Sequence, residues 1–516
     1  MSETGTEIGA AASATASAAE RSAGVVRFDE PSHEDWESAA VAALGGEPLS
    51  GLDSTLLDGI VTSPLYTPSE HGTENDPAGL PGSFPFARGA AATSNRAGWE
   101  IRQTHDVRRA ETPDAVAVDT TAGVNAITVA RGWDVELHAA ALAAGVADAA
   151  AAGATIHLAA GTTPAHAEAF AAVLDEAGTD LRAASSWLGI DPAARFVTGW
   201  IGLSDASNRA EGLAAEVSGA ADAAVSMSQR WPATTPLESD GSVFADAGAS
   251  DAGELGAALA GGLMWLRALS DVADRGDLGV AAASGLVGFT LSGGPDPFVT
   301  AAKCRALRVC WTRVLQACGV DLAAEGRQLP LKLHAVTSTA MLARRDPWVN
   351  MLRSTAACFG AIIGGADAIT VQPFDAAGAV TPDGGPLGLR VAANTQLMLA
   401  EESRVGAVID PGGGSWYLEE LTAQMAREAW QRFQSIEAAG GMCDALASGQ
   451  LYSDVATDRA RRDEAITAGQ RVLVGVNEFV ADDEHVAEAP PQNATAPGWG
   501  LHRWAAAYEN SSHEHR

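Results

Sequence analysis

Leu329-Pro-Leu-Lys-Leu-His-Ala-Val-Thr-Ser338 is mostly apolar and β-suited, as a strand buried on both faces should read. After a short break, Val349, Leu352, Ala356, Phe359 and Ile363 recur at helical spacing and put an apolar stripe on one helix. Gly364-Gly365 stops that helix, and Ala366-Asp-Ala-Ile-Thr-Val-Gln-Pro373 supplies a second buried strand. Strand, helix and strand in so compact a unit imply a right-handed crossover between parallel strands.

Working outward, the same alternation recurs. Strand candidates are 126–130, 155–159, 183–188, 195–199, 221–227, 242–245, 287–291, 331–337 and 367–372. Helical patterns at 135–151, 164–177, 210–217, 252–272 and 298–317 separate most of them. Only Arg230-Trp-Pro-Ala-Thr-Thr-Pro236 lies between 221–227 and 242–245, so these two read as one interrupted strand. Eight strands then remain, and the class is α/β with a (β/α)8 TIM barrel.

The chain has 516 residues, enough for a large domain with arms, and a hydrophobic share of 47% suits a sizeable core. A formal charge of -32 argues against nucleic acid and against an anionic membrane surface, both of which repel it. No apolar run is long enough to span a bilayer, and residues 1–24 lack a signal-peptide pattern, so the expected location is cytoplasmic. Cys304, Cys310, Cys318, Cys358 and Cys443 form no Cys-x-x-Cys pair, and an odd count fits no closed disulfide framework. The expected organisation is a disordered tail (1–24), an N-terminal extended arm (25–110), the barrel (111–410), a C-terminal helical segment (411–480) and an acidic linker and tail (481–516).

Four runs carry a family resemblance. They are Pro81-Gly-Ser-Phe-Pro-Phe-Ala-Arg-Gly89 with Trp99-Glu-Ile-Arg-Gln103; Asn394-Thr-Gln with Glu401-Glu-Ser; Val408-Ile-Asp-Pro-Gly-Gly-Gly-Ser-Trp-Tyr-Leu-Glu-Glu-Leu421; and Arg471-Val-Leu-Val-Gly-Val-Asn-Glu-Phe479. Over roughly residues 55–480 the chain resembles the methylmalonyl-CoA mutase family of cobalamin-dependent acyl-CoA mutases. The resemblance implies a barrel that threads a CoA ester down its middle. In catalytic chains a flavodoxin-like domain caps that barrel with adenosylcobalamin, and the protein grips the ester and shields radicals.

The gripping residues of that pattern are replaced here. Ala91 stands where the family's arm has its first tyrosine, Ser94 where it has methionine, and Thr104 where it has its last tyrosine. Val243 takes the place of the histidine that donates to the thioester carbonyl, and valine has no donor. Leu286-Val-Gly288 stands for Arg-Leu-Ser, and Val336 for the glutamine of His-Cys-Gln-Thr-Ser. These exchanges predict an interior whose polar gripping groups have given way to hydrocarbon. Asp483-Glu-His-Val-Ala-Glu488 misses the Asp-x-His-x-x-Gly of a base-off cobalamin site by its last residue and reads as linker. No flavodoxin-like cobalamin domain is expected.

Retained residues have plain readings. His334 reads as a hydrogen-bonded core histidine ahead of a base, and Arg102 and Arg88 as pins to structural carboxylates ahead of ligand contacts. At most Arg102 and His334 are vestigial substrate contacts. Whether Arg96 fills the arm's other arginine position is open. Lys303 and Arg305 read as helix surface charges, and Asp410-Pro-Gly-Gly-Gly-Ser415 as a structural turn.

The resemblance with these losses implies the small, non-catalytic subunit of a heterodimeric methylmalonyl-CoA mutase, binding no cofactor or metal itself. A homologous large catalytic subunit would hold adenosylcobalamin and interconvert methylmalonyl-CoA and succinyl-CoA. Arms such as residues 25–98 would wrap that partner. Two alternatives stand beside it: the substrate-binding chain of a split acyl-CoA mutase of the isobutyryl-CoA type, and an acyl-CoA-binding regulatory barrel.

Overall fold

The computed structural model describes residues 32–67, 78–91, 98–106, 112–130, 149, 153–176, 178, 185–199, 208–273, 278–324, 327–378, 385–481 and 499–510. The chain divides into two compact units, residues 1–54 with 61–64 and residues 55–60 with 65–516. The first holds the helix His33–Ala43, whose N-cap Ser32 and Asp35 satisfy each other's backbone N–H groups in a capping box. The second holds everything below.

Eight parallel strands form the second unit's sheet: β1 (Glu100–His105), β2 (Ala126–Val129), β3 (Thr155–Leu158), β4 (Trp187–Ile190), β5 (Thr235–Asp240), β6 (Val287–Gly293), β7 (Lys332–Thr337) and β8 (Ala368–Thr370). They follow chain order around the sheet, with β1 paired to both β2 and β8. Between β3 and β4 the only ladder contact among described residues is a parallel bridge from Thr162 to Ile190, so the barrel is nearly closed. Helices α1 (Thr112–Thr121), α2 (Pro164–Glu176), α3 (Arg209–Arg230), α4 (Asp251–Ala273), α5 (Pro297–Ala317), α6 (Pro347–Ile363) and α7 (Pro386–Leu397) follow strands as crossovers require. Asp296 starts α5 by accepting the N–H groups of Phe298 and Val299 ahead of Pro297. Two further helices, α8 (Trp416–Ala438) and α9 (Gln450–Thr467), come after the barrel, and α8 packs across α4 and α5.

Several expected boundaries change. The sheet takes its first strand from 100–105, inside the stretch assigned to the arm and upstream of residue 111. Its fifth strand is 235–240, which begins at the end of the 230–236 run expected to interrupt a strand and lies between the two candidates 221–227 and 242–245. Residues 221–227 are helical because Leu213, Val217, Ala220, Ala221, Ala224 and Met227 fall on one buried face of α3. Residues 195–199 are not a strand: Asp191 caps a short helix, Pro192–Val197. Residues 242–245 also belong to a short helix, Ser242–Ala247, closed by left-handed Gly248. The expected strand at 183–188 is displaced toward 187–190. Strands 126–129, 155–158, 287–293, 332–337 and 368–370 lie where the alternation places them.

The 80–89 run lies on its own barrel. Phe86 is fully buried, and Arg308 of α5 donates to the carbonyls of Phe86 and Ala87 at 3.1 Å each. Lys303 and Arg305 are corrections as well, since both are buried. Lys303 reaches Asp251 (2.7 Å), Glu254 (2.5 Å) and Ser292 (3.0 Å), while Arg305 holds Asp410 (2.7 Å) and Glu419 (2.5 Å). The five cysteines are unpaired. Among the described residues, no helix is long and apolar enough to cross a membrane. The expected helix at 135–151 lies outside the described residues except for residue 149, and residues 1–24 and 482–498 lie outside them entirely.

Candidate functional site

Along β1 the pattern Glu100-Ile-Arg-Gln-Thr-His105 has a period of two, which puts Glu100, Arg102 and Thr104 on one face. That face is the barrel interior. Arg102 and Thr104 line a cavity of about 220 Å³ together with Glu238, Thr290, His334 and Val336. Register carries the layer around the sheet: Arg102 pairs Thr370, Thr370 pairs Val336, and His334 pairs Thr290.

Beneath this cavity the barrel is plugged. The Arg102 guanidinium bonds Glu100 at 2.8–2.9 Å and lies 4.6 Å from the centre of the Trp187 ring. Trp187 in turn meets His334 edge-on, with ring centres 6.2 Å apart. Gly288 makes room for that indole, because a Cβ there would sit 2.5 Å from the ring. The residue standing where the family pattern has serine thus lets Trp187 fill the barrel's middle.

Both interior histidines are fully engaged. His157 Nδ1 accepts the backbone N–H of Trp187 at 3.0 Å, so its proton sits on Nε2, toward Thr155 Oγ1 (2.9 Å) and Glu100 (3.4 Å). Burial, with the Arg102 charge beside it, pushes His157 down to about 4. His334 has Thr370 on Nε2 (2.9 Å) and Thr290 on Nδ1 (3.3 Å), and burial with Arg102 holds it neutral, well below the ordinary histidine value. Neither imidazole is free to polarise a carbonyl. The Thr290 hydroxyl also donates to Glu238, whose carboxyl is pushed up to about 8 by burial and then by Asp240.

A carboxyl raised in the folded state binds a proton that the unfolded chain has released, so its contribution to stability falls as pH rises from about 4.5 toward 8. Glu238→Gln keeps the acceptor for Thr290 but removes the titration. Between about pH 6 and pH 8 its melting temperature is expected to fall less than that of the unsubstituted chain, as scanning calorimetry at the two pH values would show. Parallel declines would remove Glu238 from the account.

The expected site residues distribute unevenly. Arg102, His334, Thr104 and Val336 meet at the cavity, and Gly288 packs against Trp187 beside it. Val243 is buried on the short helix after β5, whose Ser242 and Asp246 reach the cavity instead. Leu286 precedes β6 and is half-buried, and Ala91 is half-buried in the arm. Ser94, Arg96 and 483–488 lie outside the described residues. Arg88 bonds Asp410 at 2.6 Å. The 410–415 turn is anchored there, since a Cβ at Gly413 would meet Arg88 at 2.4 Å.

The interior is therefore not the hydrocarbon-lined space that the replacements predict. It is polar and occupied, because Glu100, Arg102, Trp187, His157 and Lys332 fill it with groups that satisfy one another. Its 220 Å³ is smaller than the roughly 300–1,000 Å³ of ordinary ligand pockets. Cobalt ligation needs an imidazole nitrogen free of other partners, and the imidazole at this cavity has both nitrogens engaged. The residues here do not fit a corrin. Among the described residues no group of three His, Cys, Asp or Glu could hold a metal ion.

Comparison with known proteins agrees with this architecture. The family model described as methylmalonyl-CoA mutase matches residues 212–496. The chain is 37% identical over 492 residues to a methylmalonyl-CoA mutase small subunit of Streptomyces virginiae, covering 92% of this chain and 74% of that one. It is 35% identical to a probable methylmalonyl-CoA mutase small subunit of Mycobacterium bovis, covering 91% and 72%. A methylmalonyl-CoA mutase small subunit of Propionibacterium freudenreichii subsp. shermanii is 29% identical, covering 93% and 74%. With the barrel in place, a family model spanning more than half of the chain and relatives of this identity and coverage, the chain belongs to the methylmalonyl-CoA mutase family.

Proposed function

We propose that this chain is the small, non-catalytic subunit of a heterodimeric methylmalonyl-CoA mutase. A homologous large subunit holds adenosylcobalamin and interconverts methylmalonyl-CoA and succinyl-CoA, and this chain binds neither cofactor nor ester. One observation carries the reading: Trp187 stacked on Arg102 occupies the middle of the barrel through which the family's catalytic chains thread their ester. Thr104 and Val336, at positions where the pattern has tyrosine and glutamine, support it, as do the small-subunit names of the relatives. Exposed Trp348 and Leu352 on α6 add apolar surface of the kind a partner covers. A cytoplasmic location goes with this reading.

The test is reconstitution. The purified chain with adenosylcobalamin and methylmalonyl-CoA is expected to show no isomerisation. With the large mutase chain of the same organism it is expected to co-elute at equimolar ratio in an active complex. Turnover by this chain alone, or failure to associate, would overturn the assignment.

A further inference from the structure

A second cavity, of about 500 Å³, opens between the C-terminal end of β6 and helix α9 and shares no lining residue with the barrel interior. We infer that it binds a small organic anion, its carboxylate or phosphate head on Arg471 and Arg462 and its apolar body against Leu56, Leu57 and Val299.

The argument begins with a shortage of acceptors. Arg471 lies 4.5 Å from the Trp504 ring centre, and its guanidinium has no hydrogen bond or ion pair with any described residue. Arg462 lies 5.4 Å from the same ring and donates to the carbonyls of Gly248 and Ala249 at 2.7 Å each, which leaves its Nε without an acceptor. The indole nitrogen of Trp504 is unpaired too. Among the described residues no carboxylate forms an ion pair with either guanidinium, although Asp58, which accepts the Ala252 N–H through one oxygen, acts on Arg462 through space and keeps its other oxygen unpaired. Lys303 takes Asp251 and Glu254, Arg432 and Arg461 take Asp458, and Asp296 caps α5.

Buried Arg462 and half-buried Arg471 therefore line the same cavity, where Asp251 and Asp296 act on Arg471 only through space. Burial, with the neighbouring Arg471 charge, lowers Arg462 to about 10, and Arg471 is lowered as well. A bound oxyanion would relieve both, and the flat face that Arg471 keeps by stacking on Trp504 leaves its fork of donors set for bidentate contact. A bare oxyanion would leave most of the volume empty. Leu56, Leu57, Ala245, Ala249 and Val299 make part of the remaining wall apolar, beside the polar Ser292, Ser338 and Gln470 and the carboxylates of Asp251, Glu254 and Asp296, so the ligand carries a short hydrocarbon body.

Isothermal titration calorimetry on the full chain, using pentanoate, phenyl phosphate and inorganic phosphate, tests this. At least one organic probe is expected to bind about tenfold or more tightly than inorganic phosphate, and which one binds identifies the head group. Arg471→Gln should weaken that probe about tenfold, while Arg471→Lys, which keeps charge but loses the stacked fork, should fall between. Far-UV circular dichroism of both variants checks that they fold, and the bound probe should raise the melting temperature of the unsubstituted chain. Absence of binding by both organic probes, unchanged affinity in folded Arg471→Gln, or inorganic phosphate binding as tightly as the organic probe would each overturn the inference.

Discussion

Lys303→Met is expected to destabilise the chain by about 3–5 kcal/mol, because it strips the cation from a buried group while leaving the anions in place. Lys303 and Glu254 are each 1% exposed in their side chains, and the contacts to Asp251, Glu254 and Ser292 join helices α4 and α5 to strand β6. Burial works against the ammonium, but Asp251 and Glu254 together hold its pKa above the ordinary lysine value. In the variant, Glu254 is left ionised in a dry site unless it takes up a proton. The deficit should therefore shrink as pH falls, since protonation removes the uncompensated charge. Urea denaturation at neutral and mildly acidic pH reads both effects. A loss below about 1 kcal/mol, or one that grows on acidification, would show that the triad does not tie these elements together.

Trp187→Ala should cost a similar amount, about 3–5 kcal/mol, as expected when a large buried aromatic leaves a cavity. It also removes the ring on which Arg102 stacks and the edge contact to His334. On the proposed reading the ring is a plug and takes no part in the chemistry, so turnover per assembled heterodimer should be unchanged once complexes of equal concentration are compared. A variant that folds and assembles but lowers turnover of the complex would place Trp187 in the chemistry.

Much of the fold was legible because its strands are short apolar runs separated by long helical stripes, and the Leu329–Asp375 unit reads as built. The misreadings share a cause. β1 and β5 carry charges along an inward face, Glu100 and Arg102 in one and Glu238 and Asp240 in the other, so neither resembles a hydrophobic strand. In a barrel whose interior is polar, that alternation of charge was itself the strand signal. Conversely, the Ala- and Val-rich 221–227 run looks β-like alone and becomes helical only when its spacing is followed back to Leu213.

The site was legible by subtraction. Thr104, Val336 and Gly288 stand out only against the family pattern, and the structure places all three in or against the barrel interior. What fills the space could not be read in the same way. Trp187 comes from a strand on the far side of Gly288, and His157 is held by a backbone N–H that only the β3–β4 juxtaposition brings near. Single residues on separate strands leave no mark in local sequence. Lys303 and Arg305 were missed for a related reason: their partners Asp251, Glu254, Asp410 and Glu419 lie about 50 to 110 residues away.

Counting bound ester in the assembled heterodimer tests the plugged barrel most directly. Equilibrium dialysis of the purified complex against labelled methylmalonyl-CoA is expected to give one ester per pair of chains at saturation, and none on this chain alone. Two esters per pair, or saturable binding by the isolated chain that competes with succinyl-CoA, would mean that the barrel is open and the account is wrong.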